Sequence, residues 1–180
     1  MHKFYQKKYY FISEYDTNLI DNLDKSVNII YRNYQDKIDI RQIQKLGNYC
    51  KKKGNKFYLS NNFKIALNLN LDGVYLPSFN NSYKHLSYSL KKDFKIIGSA
   101  HSLREATIKK NQKVEDIFIS SIFKKNKNYL GINKFKNLIS LTNLNVIALG
   151  GINQKNLNKL KLIELKGFAG ISYFNKKKGP

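Results

Sequence analysis

Cysteine is nearly missing: Cys50 is the only one in 180 residues, which excludes an intrachain disulfide and a cysteine-clustered metal site. Acidic side chains are scarce as well, 12 Asp and Glu against 33 Lys and Arg, for a formal net charge of +21. Long apolar runs are absent. Stretches such as Val146-Ile147-Ala148-Leu149 are strand-sized, far below the roughly 20 residues of a membrane-spanning helix. The basic start, Met1 to Lys8, is followed by an apolar stretch, Tyr9 to Ile12, that is too short for the core of a signal peptide. A soluble cytoplasmic protein with no membrane partner is therefore expected. No Walker motif, zinc-ligand spacing, EF-hand or nucleophile elbow occurs, and no interdomain linker or internal repeat.

What is present is 42% hydrophobic residues, enough for one globular domain with a sizeable core. The expected division is a single domain over residues 1–175 and a basic tail over 176–180. The positive charge has two readings. Lysine selected for phosphate contacts would serve a nucleic-acid-binding protein. Lysine spread along the whole chain together with abundant Asn and Ile is instead what an AT-rich coding sequence places on any surface. The densest runs, Lys51-Lys52-Lys53 and Lys176-Lys177-Lys178, fall at a helix end and in the tail, so no specific nucleic-acid partner is expected. Either way the charge concentrates anionic small molecules near the protein.

Eight β-branched or aromatic runs read as strands: Tyr9–Ser13, Val27–Tyr31, Phe57–Ser60, Gly73–Leu76, Lys95–Ala100, Asp116–Phe123, Val146–Gly150 and Gly167–Phe174. Segments with helical spacing lie between them, one marked by Ile38, Ile43, Leu46 and Cys50, another by Leu157, Leu160 and Ile163. Regular alternation predicts βαβ units and a parallel sheet. Eight units predict a closed (β/α)8 TIM barrel, with an open doubly wound sheet as the alternative. The chain is short for that fold, and the eighth helix is expected to be missing or vestigial. Ser102-Leu103-Arg104-Glu105 has capping-box spacing, and Asn153 is placed as an N-cap. The polar run Lys124–Tyr129 reads as a mobile flap.

Several strands begin apolar and finish polar, and barrel active sites sit at the C-terminal strand ends. Gly150-Gly151 ends the seventh strand before a helix, where backbone N–H groups can receive a phosphate. Ser99 and His101 end the fifth strand; His101 serves either as a general acid or base or to satisfy a loop carbonyl. Arg32 ends the second strand, available to a phosphate or to an ion pair with Asp36 or Asp39. Ser120 and Ser121 lie near the end of the sixth strand, as buried hydroxyls or ligand donors. Asp16, Asp21 and Asp24 mark a solvated helix face.

The order and spacing of Leu71–Leu76, Ile97–Ala106, Asp116–Phe123, Val146–Ile152 and Gly167–Ile171 resemble the thiamine phosphate synthase / TenI family over about residues 9–175. The resemblance implies an enzyme of thiamine biosynthesis that joins an aminopyrimidine diphosphate to a thiazole phosphate. It would place Arg32 and Ser99 at the diphosphate and Asn61 at the pyrimidine. Gly150 and Gly151, with the backbone near Phe174 and Asn175, would hold the thiazole phosphate, and Ser121 would lie at the substrate. The TenI branch isomerises a thiazole carboxylate phosphate, and His101 matches one of its histidines. Ligands are phosphorylated heterocycles, and a homodimer is one assembly open to it. The other readings are a TenI-like isomerase, a non-catalytic phosphate-binding barrel, and a basic nucleic-acid-binding protein.

The sequence departs from the family pattern at five places. Asn62 and Asn80 stand where the synthases carry two Mg²⁺-binding carboxylates, and neutral amides are expected to hold Mg²⁺ far more weakly. Tyr34 stands where a lysine follows Arg32. Lys125-Asn126-Lys127-Asn128 replaces a Thr-x-Thr-Lys run, and Ser121 aligns with the second TenI histidine.

Overall fold

The structure is a computed structural model that describes residues 7–34 and 38–174. Eight parallel strands pair in chain order and close on themselves, β1 to β2 through β7 to β8 and β8 back to β1. The strands are β1 Lys7–Ile12, β2 Val27–Tyr31, β3 Phe57–Ser60, β4 Gly73–Leu76, β5 Lys95–Ala100, β6 Asp116–Ile119, β7 Asn145–Leu149 and β8 Gly167–Ala169. The helices are α1 Thr17–Asp21, α2 Ile40–Lys53, α3 Phe63–Asn68, α4 Leu103–Asn111, α5 Gly131–Ser140, α6 Gln154–Leu157 and α7 Ile171–Phe174. The expected barrel is therefore the observed one, with a single helical turn after β8. No helix among the described residues is long and apolar enough to cross a membrane.

Strand side chains alternate between two faces, and the two faces build separate cores. Tyr9, Phe11, Ile30, Tyr58, Tyr75, Ile97, Phe118, Ile147 and Ala169 fill the barrel interior. Phe118 sits at its centre, 4.8 Å from the Tyr9 ring and 5.6 Å from Tyr75, edge to face. The opposite faces pack against the helices, for instance Ile43, Leu46 and Cys50 of α2.

Four strands differ in their bounds from the sequence reading, β1 and β7 by one or two residues and β6 and β8 by more. β6 stops at Ile119, so Ser120 and Ser121 belong to the following turn, and β8 stops at Ala169. The β4–β5 connection contains only a 3-10 turn, Lys84–Ser87, and no α-helix. Ile38 precedes α2 and is exposed; Asp39 caps that helix by accepting from Gln42 N–H at 3.1 Å. Ser102 caps α4 by accepting from Glu105 N–H, but the Glu105 carboxylate reaches one residue further back, to His101 N–H at 2.6 Å. Asn153 and Asn156 form a reciprocal capping box on α6.

Candidate functional site

A cavity of about 520 Å³ opens at the C-terminal ends of the strands, with Phe11, Leu149 and Ala169 in its floor. Arg32 extends β2 into it, and its guanidinium lies 4.6 Å over the Phe11 ring, a cation–π contact that fixes the charge at the wall. The Tyr75 phenol lies beside both Arg32 and Ser99, the two residues assigned to a diphosphate. Burial pushes the Tyr75 phenol up to about 12, with Ser99 and the Arg32 charge opposing part of the rise. Among the described residues no carboxylate pairs with Arg32. Asp39 is engaged as a helix cap, and Asp36 lies outside the described residues.

Gly150 and Gly151 form the next wall, with φ of +106° and +75°. A Cβ on Gly150 would meet Ser121 Oγ at 2.3 Å, and one on Gly151 would meet the Lys124 nitrogen at 2.7 Å. The chain after β6 crosses so closely that only glycine fits. That crossing segment is not an unstructured flap. Phe123 and Lys124 N–H both donate to the Gly150 carbonyl, at 2.9 and 3.2 Å. Ser121 Oγ donates to the Lys124 carbonyl, and Ser121 exchanges backbone bonds with Asn128 and Leu130. Lys124 is thus held at the cavity wall with Ser120, Ser121 and Asn126. The final wall is Gly170, Ile171 and Ser172.

Phe174 does not line the cavity. Its ring packs against Tyr10, Phe168 and Tyr173, because β8 ends five residues earlier than expected. Asn175 lies outside the described residues. His101 sits beside the cavity, with Nδ1 donating to the Ser120 carbonyl at 2.8 Å. That contact is the loop-carbonyl role, and it fixes Ser120.

Asn61, Asn62 and Asn80 line a separate, shallower pocket of about 220 Å³. Asn61 adopts φ +60° and accepts from Asn80 Nδ2 at 2.6 Å. Asn62 and Asn80 do not converge on one point. Asn62 Oδ1 caps α3 by accepting from Ile65 N–H at 3.0 Å. Asn80 Oδ1 accepts from Ser82 N–H and Gln112 Nε2. These amide oxygens are already engaged, and no cluster of three His, Cys, Asp or Glu occurs among the described residues. The donor set does not fit a divalent cation. Tyr34, in the position of the family's lysine, bonds Ser60 Oγ at 3.0 Å and places its ring 5.6 Å from Phe79 at an exposed edge.

Sequence reasoning missed Phe11, Tyr75 and the Gly170–Ser172 wall. The alternation that puts Phe11 and Tyr75 inside the barrel was available; the early end of β8 was not. A second cavity, about 550 Å³, lies at the opposite end between α5 and the starts of β7 and β8, away from the strand termini that gather the polar groups.

A family model described as thiamine monophosphate synthase matches residues 18–174. A thiamine-phosphate synthase of Prochlorococcus marinus is 33% identical over 138 residues, 74% of this chain and 40% of that protein. One from Clostridioides difficile is 30% identical over 138 residues, covering 74% and 65%. The chain thus spans about 40 to 65% of the length of these relatives. The structure of a thiamine phosphate pyrophosphorylase from Pyrococcus furiosus superposes with a TM-score of 0.70 at 18% identity, over 92% of this chain and 85% of that one. FabK from Thermotoga maritima superposes at 0.67 with 13% identity, over 92% and 58%, so structural likeness at this level reports the fold alone. Family model, relatives and barrel agree: the chain belongs to the thiamine monophosphate synthase family.

Proposed function

We propose that this chain joins an aminopyrimidine diphosphate to a thiazole phosphate, forming thiamine phosphate and diphosphate. The observation that supports this best is the convergence of Arg32, Lys124 and the Gly150-Gly151 backbone on one cavity at the strand C-termini. The C–O bond between the pyrimidine methylene and the diphosphate breaks, and its electron pair leaves with the diphosphate. The thiazole nitrogen supplies the pair for the new C–N bond. Both substrates carry phosphate, so the main task of the protein is to orient them and to stabilise the charge that grows on the departing oxygen.

In this reading Arg32 and Ser99, with Tyr75 beside both, hold the diphosphate. The backbone of Gly151 and Gly170 receives the thiazole phosphate, and Asn61 stands at the pyrimidine side. His101 positions Ser120. The isomerase reading needs a second histidine; Ser121 stands there and its hydroxyl is spent on the Lys124 carbonyl.

The test is to incubate the protein with both substrates and measure thiamine phosphate. Arg32→Ala should lower turnover by about 10²- to 10³-fold. No product with the unaltered chain, at enzyme concentrations comparable to substrate, refutes the synthase reading.

A further inference from the structure

We propose that the barrel mouth binds diphosphate without a divalent cation, with Arg32 and Lys124 carrying the charge that a metal would otherwise supply. The inference rests on the synthase reading for the identity of the anion, but its basis is the placement of the carboxylates.

Six acidic residues lie at the N-terminal ends of strands or in the turns that lead into them, Asp24, Asp72, Asp93, Glu115, Asp116 and Glu164, and Asp21 ends α1 on the same side. The ion pairs Lys53–Asp21, Lys56–Asp72, Lys95–Glu115 and Lys7–Asp116 all belong to that end. At the C-terminal end the described carboxylates are few and mostly committed to backbone. Asp16 caps α1, Asp39 caps α2, and Glu105 accepts from His101 N–H. Glu14 is exposed and lines neither pocket there.

Among the described residues neither mouth pocket contains a carboxylate. The larger has Arg32 and Lys124; the smaller has Lys64 and Lys84. A divalent ion entering such a place loses water without meeting a compensating negative charge, and the ammonium groups repel it. Mg²⁺ in particular keeps its water unless carboxylates or substrate phosphates replace it. Arg32 and Lys124 together supply two positive charges, as one such ion does, and both are anchored. Arg32 rests on Phe11 beside Tyr75, and the Lys124 backbone is bonded at both its N–H and its carbonyl. The Arg32 guanidinium is thus placed before the anion arrives, which favours electrostatic stabilisation, and the Lys124 side chain reaches the same cavity from a fixed backbone.

The experiment is calorimetric titration of the full chain with inorganic pyrophosphate, in EDTA and in excess Mg²⁺. Affinity in EDTA should equal or exceed that in Mg²⁺, because Mg²⁺ sequesters free pyrophosphate. Arg32→Ala and Lys124→Ala should each weaken binding in EDTA by about tenfold or more, whereas Lys56→Ala, at the opposite end, should not. Binding tightened about tenfold or more by Mg²⁺ overturns the inference; so does no binding in either buffer, or an equal loss in Lys56→Ala. Thiamine phosphate formation that requires Mg²⁺ overturns it while leaving the synthase reading intact. Metal-free pyrophosphate binding without product overturns the synthase reading and leaves the cation assignment standing.

Discussion

Lys109 has no exposed surface, and its ammonium donates to the Asn80 carbonyl at 2.6 Å and to Gln112 Oε1 at 3.0 Å. Burial lowers its pKa from the ordinary 10.5 to about 8, with the charge of Glu105 pulling the other way. Below pH 8 both folded and unfolded chains hold the proton, and the desolvation penalty is fully present. Between about 8 and 10.5 the unfolded chain binds more protons, so this group's contribution to stability rises with pH. Urea denaturation across pH 7 to about 10 should show wild type gaining on Lys109→Met over that window; parallel curves would exclude the buried charge. Gly151 makes a different demand. Its φ of +75° and the Lys124 nitrogen 2.7 Å from where a Cβ would stand mean that Gly151→Val does not leave the loop intact, contrary to what a glycine pair read only as a phosphate turn predicts. Gly151→Ala should already cost about 1–3 kcal/mol in thermal denaturation and weaken pyrophosphate binding through Lys124. In the sequence Arg32, Ser121, Gly150 and Gly151, which line the cavity, were legible as candidates because strand ends and glycine pairs carry local signals. Tyr75, which lies beside Arg32 and Ser99, was not, because that placement exists only once β2, β4 and β5 close on one another.

At the scale of elements, all eight strands were legible, since period-two burial and β-branched runs survive in any surroundings. The ends of β2, β3, β4 and β5 were legible too, but those of β1, β6, β7 and β8 were not. Ser120 and Ser121 continue an apolar run on paper, yet the chain turns there to bond Asn128 and Leu130. Gly167–Phe174 likewise reads as one strand, but its last four residues form α7, whose ring contacts with Tyr10 and Phe168 come from elsewhere in the chain. Asn62 illustrates how an element claims a side chain. Its amide oxygen is the N-cap of α3, so Asn62→Ala should cost about 1 kcal/mol, whereas Asn62→Asp should be nearly neutral because aspartate caps equally well. The aspartate then stays bound to the Ile65 N–H, and it should bring no Mg²⁺ dependence to pyrophosphate binding. Mg²⁺-dependent binding in Asn62→Asp alone would show that the cap releases its carboxylate.

For the whole molecule, the separation of charge along the barrel axis divides stability from ligand binding. Asp116 is fully buried, held by Lys7 at 2.6 Å and by the Tyr9 hydroxyl at 2.8 Å. Asp116→Ala should cost about 3 kcal/mol in urea denaturation, with pyrophosphate affinity unchanged; a parallel loss of affinity would mean that the two ends are coupled. The same axis ends in an uneven seam. β1 meets β2 through five residue pairs but β8 through only three, Lys7 with Gly167, Lys8 with Phe168 and Tyr9 with Ala169, and the turn that follows those three pairs supplies Gly170, Ile171 and Ser172 to the cavity. Short ladders open at lower free energy than long ones, and a ligand that binds only the closed form raises that free energy by mass action. Amide hydrogens along Gly167–Ala169 should therefore exchange with deuterium sooner than those along β2, and slow selectively when pyrophosphate is added: occupancy of the mouth is written into the isotope clock of the barrel's shortest strand.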